Sequence, residues 1–285
     1  MSTIKEIVER LQATEEREDW MRGLHADPRA GVRAALHRWE RQYEKKKKIR
    51  EEHDRKCAFD MAYAPYDGAL VAGVDEAGRG PLAGPVVTAA VILPKETPEL
   101  VGLDDSKAIQ RVERERLAQK IREVAIAYSI HTQPVNKIDE MNIYAATRDS
   151  MEQAVKGLVI QPDIVLADAM ALTVPCQTES IVKGDAQSLA IAAASILAKT
   201  TRDALMDELH ERYSVYQFGK NAGYGTAEHL EALHLYGPCD QHRASFEPIK
   251  TMLKGRRQDL GLSDQDAVVR TSDSGCLSKQ AATAK

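Results

Sequence analysis

The chain opens on an amphipathic pattern: Ile4, Ile7, Val8 and Leu11 recur at helical spacing and lay one apolar stripe along a charged segment, which predicts a first helix. A second helix is predicted from Asp27-Pro28, with Asp27 suited to the N-cap, Pro28 to the first helical position, and Val32, Leu36, Trp39 and Tyr43 on one face. That stripe runs into Lys45, Lys46, Lys47 and Lys48 and then EEHDRK, before Ala64-Pro65-Tyr66-Asp67-Gly68 breaks the period. From Leu70 the pattern changes. LVAGVDEAG and GPVVTAAVIL are nearly continuous apolar runs, rich in Val and bounded by Gly and Pro, as buried strands are. Helical spacing returns over 111–127 through Val112, Leu117, Ile121 and Val124, after which YSIHTQPV extends as a strand. Residues 137–157 carry a helical set at Ile138, Ala145, Met151 and Val155, DIVLAD (163–168) is a short apolar strand, and the Ala-rich stretch 186–210 is strongly helical. This order predicts an α/β fold over 67–254, a mixed sheet with helices packed on it, preceded by a small helical extension over 1–66. No internal repeat is present, and the polar, aperiodic stretch from Gly255 to the end is expected to be disordered.

Composition changes this picture little. Hydrophobic residues at 43% and charged residues at 29% supply a core and exclude wholesale disorder in the 285 residues. Charge adds an asymmetry: the net of -4 argues against a globally basic nucleic-acid coat, yet residues 1–56 hold 15 Lys and Arg against 12 Asp and Glu. A mildly basic head therefore precedes an acidic body. Cys57, Cys176, Cys239 and Cys276 form no CxxC pair and no Cys/His cluster at zinc spacing, which disfavours a disulfide scaffold or a zinc site. Without a signal-peptide core or a long apolar run, a reducing, cytoplasmic setting with no membrane partner is expected.

The candidate chemistry lies where strands end. Asp75 and Glu76 terminate LVAGV, and both reach one centre only where the backbone kinks, which the glycines of the following AGRG permit. Asp168 ends DIVLA in the same way. Asp185, in Lys183-Gly184-Asp185 before the Ala-rich helix, reads equally as a site residue or as that helix's N-cap. Gathered carboxylates repel unless a cation neutralises them, and an all-oxygen set suits Mg2+ or Mn2+. Such a site points to phosphodiester hydrolysis. Asp203 is excluded from it, because 18 helical residues beyond Asp185 amount to roughly 27 Å. With Arg202 it is expected to cap or crosslink the helix surface, while Ser188 and Ser195, seven residues apart, share a face.

GVDEAGRGPLAGPVVTAAVIL (73–93), DDSK (104–107), KGDAQSLAIAAASILAKTTRD (183–203), GYGT (223–226) and HRASF (242–246) together resemble the ribonuclease HII family, in order along the chain from about Val71 to Ile249. The resemblance implies an RNase H-like mixed sheet and metal-dependent cleavage of the RNA strand of RNA/DNA hybrids. It also implies incision 5′ to ribonucleotides embedded in duplex DNA, leaving 3′-hydroxyl and 5′-phosphate ends. Asp75, Glu76, Asp168 and Asp185 match the family's catalytic, metal-binding acids. Gly78, Arg79 and Gly80 match its ribose-reading segment, where absent side chains let peptide groups approach a 2′-hydroxyl. Tyr224 resembles the tyrosine that packs on the junction sugar, and Arg79, Lys107 and Lys183 are expected phosphate contacts.

His229, His234 and His242 are read as structural, since two-metal hydrolysis needs no imidazole. Ala169 stands where the family usually has glycine, and is expected to alter the backbone slightly beside Asp168. The 41–56 basic stretch is expected to add hybrid affinity, and no obligate protein partner is implied. The rival readings are a ribonuclease HIII-type nuclease, which would carry DEVGKGD where this chain has DEAGRGP, and a decayed hybrid-binding module, which the four retained acids disfavour.

Overall fold

The structure is a computed structural model and describes residues 2–103, 106 and 109–259. In the head, α1 (Ile4–Ala13) begins at Thr3, whose hydroxyl accepts from the Glu6 amide while the Glu6 carboxylate accepts from the Thr3 amide. A 3-10 segment, Asp19–Ala26, leads to α2 (Ala30–Tyr63). That helix starts later than the sequence predicts: Arg29 is its N-cap, and Asp27 lies outside, accepting from the Arg29 amide at 2.9 Å and pairing with its guanidinium. The competing ion pair turns the chain two residues past the expected cap. Ile7, Leu11, Met21, Leu24, Val32, Leu36 and Trp39 close a small core, with Trp39 stacked on Tyr43. With 34 residues, α2 runs roughly 50 Å, far beyond that core.

The body is a five-stranded sheet in the order β3-β2-β1-β4-β5, formed by β1 (Val71–Ala77), β2 (Val86–Ile92), β3 (Ala127–Gln133), β4 (Ile164–Asp168) and β5 (Gln177–Ile181). The pairs β1/β2 and β2/β3 are antiparallel, whereas β1/β4 and β4/β5 are parallel, so the predicted mixed sheet is present. β5 escaped the sequence reading because QTESI is a polar edge strand with one buried residue, Ile181, and therefore lacks an apolar run. The predicted helix over 137–157 is two helices, α4 (Val135–Met141) and α5 (Ile143–Lys156), after α3 (Arg111–Val124). The break is Asn142 at φ 73°, whose side chain then caps α5 through the Ala145 amide.

α6 (Leu189–Arg212) crosses one face of the sheet, packing with α3 on Ala89 and Val91, while Met151, Ala154 and Val155 of α5 cover Ala72, Val74, Ala90 and Ile92 on the other. The approach of α6 is so close that a Cβ on Gly73 would lie 2.0 Å from the Ala190 carbonyl carbon. Short helices α7 (Phe218–Asn221) and α8 (Ala227–Tyr236), with α9 (Ile249–Asp259), form a further apolar cluster around Met206, Tyr216 and Phe218. Gly255, where the sequence places the start of the tail, lies inside α9, and the stretch from 260 onward is outside the described residues. Among the described residues no helix is long and apolar enough to cross a membrane.

Candidate active site

β1 and β4 are adjacent parallel strands in which Val74 pairs with Ala167, so Asp75 and Asp168 follow side by side at the same end of the sheet. Asp75 is buried, and one of its oxygens accepts from the Glu76 amide at 2.7 Å. β1 stays paired with β2 through Asp75, Glu76 and Ala77, so the strand carries both acids without the break expected between them. Glu76 Oε1 receives Arg79 Nη1 at 3.3 Å, while its Oε2 is buried without a hydrogen-bond partner. Asp168 Oδ1 accepts from the Gly184 amide at 2.7 Å, tying β4 to the turn that carries Asp185. Glycine is needed there, because a Cβ would meet Ile191 at 2.5 Å and crowd Asp168 Oδ1 at 3.4 Å. Asp185 itself does not cap α6. Ser188 does, accepting from the Ile191 amide at 3.0 Å, which removes the N-cap reading of Asp185.

The electrostatics of the cluster are unfavourable as it stands. Burial holds the Asp75 carboxyl well above the usual carboxylate range, and the charges of Glu76 and Asp168 push the same way. Ser195 opposes this with a hydrogen bond from the α6 face. Burial also raises Glu76, against the pull of the Arg79 guanidinium. Among the described residues, no three His, Cys, Asp or Glu side chains are gathered closely enough to hold a metal ion by themselves. An orphaned buried oxygen on Glu76, repelling neighbours and all-oxygen donors fit a hard divalent ion that keeps water and phosphate in its shell.

Beside the acids, the segment after β1 is clamped from below. Arg243 is fully buried and donates to the carbonyls of Gly78, Arg79 (2.8 Å) and Gly84 (2.9 Å). The 78–79 and 79–80 peptides are trans, so carbonyls turned toward Arg243 direct the Arg79 and Gly80 amides away from it, to the open side. Arg202, 1% exposed, donates to the carbonyls of Ala83, Pro85 and Ala222. This corrects the expected surface role of Arg202: of the two residues Asp203 makes the crosslink, pairing with Arg114 of α3 at 3.0 Å and with Lys199. Gly78 sits at φ +98° with Arg202 Nε only 2.0 Å from where a Cβ would be. Gly80 differs, since a Cβ there would merely touch the Tyr224 ring at 3.5 Å, and Tyr224 is half exposed.

Of the other expected residues, Lys183 is exposed in a left-handed turn next to Gly184, and Lys107 lies outside the described residues. Ala169 adopts φ 46° and donates its amide to Ile181 at 3.0 Å. This is a conformation that favours glycine, held here by an alanine. His234 is exposed at the end of α8, whereas His229 and His242 are buried and joined Nε2 to Nε2 at 3.0 Å. The Cys239 amide donates to His242 Nδ1, so His242 Nε2 carries the proton and His229 Nδ1 donates to the Tyr224 carbonyl. Burial, then the His229 ring, lowers His242 to about 4, keeping both neutral and structural.

Four residues near the site were missed from sequence. Arg243 lies in the quoted HRASF, but a buried arginine without a carboxylate has no local sign. Arg55, Lys56 and Asp60 sit in an ordinary charged helical stretch, yet reach the 185–190 segment, with Arg55 bonded to the Ala186 carbonyl and Lys56 to that of Asp185.

Comparison with known proteins decides the family. The family described as Ribonuclease HII matches residues 72–249, and Ribonuclease HII N-terminal domain matches residues 3–64. The chain belongs to the ribonuclease HII family. A ribonuclease HII of Halalkalibacterium halodurans is 48% identical over 233 residues, covering 82% of this chain and 88% of the relative. One of Enterococcus faecalis is 46% identical over 253 residues, or 89% and 98% of the two chains. The crystal structure of ribonuclease H2 from Pyrococcus horikoshii superposes with a TM-score of 0.58 at 27% identity, covering 66% of this chain and 99% of that one. Bst-RNase HIII in complex with Mn2+ shares the fold, with a TM-score of 0.53 at 16% identity over 67% of this chain and 71% of that one. As a ribonuclease HII, the chain is a ribonuclease H-type endonuclease acting on RNA/DNA hybrids, in a family dependent on divalent metal.

Proposed function

We propose that this ribonuclease HII also incises duplex DNA 5′ to a single embedded ribonucleotide, leaving 3′-hydroxyl and 5′-phosphate ends, and that it uses two Mg2+ or Mn2+ ions. The observation that carries the reading is the buried carboxylate pair Asp75 and Glu76, crowded by Asp168 and with Glu76 Oε2 unsatisfied, directly before the clamped segment with two outward amides. Asp75, Glu76, Asp168 and Asp185 would hold the ions, whose chemistry there is to activate water and to neutralise the charge gathering on the phosphate and leaving oxygen. The chain supplies selection and orientation. The Arg79 and Gly80 amides donate to the ribose 2′-hydroxyl, and the missing side chain of Gly80 lets the sugar approach the backbone beside Tyr224. Arg79, Lys183 and Lys107 contact phosphates, and the exposed Lys45–Lys48 face of α2 adds charge-dependent affinity for the duplex. A cytoplasmic setting accords with this role.

The test is cleavage of a DNA duplex carrying one ribonucleotide, beside an all-DNA control. Cutting of the first alone, only with Mg2+ or Mn2+, and loss of at least about 100-fold in Asp185→Asn are expected. Equal cutting of the control removes the ribose reading, and full activity of the variant removes Asp185 from the metal set.

A further inference from the structure

The far end of α2 does something that a nucleic-acid grip does not require. Three of its residues, within six positions, reach across to one short stretch of the body. Lys56 is fully buried, and its ammonium donates to the main-chain carbonyls of Asp185 at 3.2 Å and Leu103 at 3.4 Å. Arg55 donates to the Ala186 carbonyl at 2.9 Å. Asp60 accepts from the Ala190 amide at 2.9 Å, in the first turn of α6. The gripped stretch contains Asp185 and the Gly184 amide that binds Asp168.

α2 also meets the 97–103 stretch, where His53 lies 3.5 Å from the Thr97 hydroxyl and Lys56 donates to the Leu103 carbonyl, but the candidate acid Asp185 lies in the 184–190 stretch. The 184–186 segment is a single 3-10 turn following a left-handed Lys183; its own bonds use the Lys183 and Gly184 carbonyls and leave those of Asp185 and Ala186 to outside donors. A 3-10 turn leaves carbonyls without helical partners, and here cations of α2 satisfy two of them. Placing a lysine wholly inside costs desolvation, so its donor bonds must be specific in direction.

We propose that α2 is a positioning element for Asp185: Lys56, with Arg55, fixes the turn that aims the fourth carboxylate, so that the head completes the catalytic site. The inference rests on Asp185 belonging to the metal set, as proposed above. It assigns the head a role in turnover, separate from any affinity contributed by Lys45–Lys48. Lys56 and Arg55 touch neither substrate nor metal in this reading. They act through the main chain of 185 and 186.

Hydrogen–deuterium exchange of the full chain, read by peptide mass, tests this without relying on activity. Lys56→Met keeps the volume of the buried stem and removes its donors, and Arg55→Met does the same at an exposed position. In the double variant, amides over 183–188 are expected to exchange about tenfold faster, while peptides of α1 and of β1 and β2 keep their protection. On the ribonucleotide-bearing duplex, kcat falls about tenfold or more, and hybrid affinity measured in Ca2+ stays within about twofold, as for a ligand-orienting group. Unchanged exchange over 183–188 overturns the proposal. So does a uniform rise across all peptides, which marks general destabilisation, or a loss confined to hybrid affinity. Asp185→Asn is assayed in parallel: if it cleaves at full rate while the exchange result holds, the metal-set reading fails and the brace itself stands.

Discussion

At the residue scale, one position shows how backbone conformation and residue type are set against each other. Ala169 holds φ 46° directly after β4, while its amide donates to the Ile181 carbonyl and keeps β4 joined to β5 beyond Asp168. An L-residue there costs about 1–2 kcal/mol, and glycine costs about 0.5–1 kcal/mol through its greater unfolded freedom. Ala169→Gly is therefore expected to raise stability by up to about 1 kcal/mol, seen as a higher urea midpoint with an unchanged slope. A lower midpoint would mean that the left-handed turn carries no penalty. Sequence marked this position as a departure from the family's glycine but not its consequence, because φ follows from the path the chain takes in the fold. The same limit hid Arg243 and Lys56, whose meaning depends on carbonyls far away in the chain.

At the scale of elements, α2 meets α6 through a carboxylate whose burial governs a pH response. Burial pushes Asp60 up to about 6, against the hydrogen bonds it receives from Ser188, Ala190 and Leu189. Its folded-state value thus exceeds the ordinary 3.8, so the native state holds this proton more tightly than the unfolded chain. The stabilising contribution is complete below pH 3.8 and is lost as pH rises to about 6. Asn resembles the protonated acid and keeps an oxygen for the Ala190 amide. Asp60→Asn is therefore expected to gain on the wild type by about 3 kcal/mol between pH 3.5 and 7.5, at roughly 1.4 kcal/mol per unit. Parallel urea titrations at the two pH values measure it, and a constant difference refutes the assignment. Most elements were legible in sequence because their buried faces leave a period. β5 and the Asn142 break left none, the first being a polar edge and the second a single left-handed residue.

On the scale of the whole molecule, the charge asymmetry becomes intelligible. A net of -4 combines an acidic cluster at the strand ends with a basic head joined to it by one long helix. The middle of α2, with Lys45–Lys48, and its far end, with Arg55 and Lys56, are proposed to act separably. Replacing Lys45–Lys48 with Gln is expected to leave kcat alone and to lower the slope of log KM against log salt by about one for each phosphate no longer neutralised. An unchanged slope would leave the basic run as an ordinary solvated face. Sequence by itself determined the α/β class, the helical head and the family, and it nominated the four acids. Those features are written in local periodicity and in contiguous motifs, since strand ends and their acids travel together in the chain. Tertiary structure decided what orients them. Arg243 turns the amides beside Gly78 outward, Gly184 joins Asp168 to the turn of Asp185, and Lys56 reaches that turn from a helix more than a hundred residues earlier. Each is a bond from a side chain or amide to a distant group, and its partner is chosen by the packing of α2, α6 and the sheet rather than by neighbours in sequence.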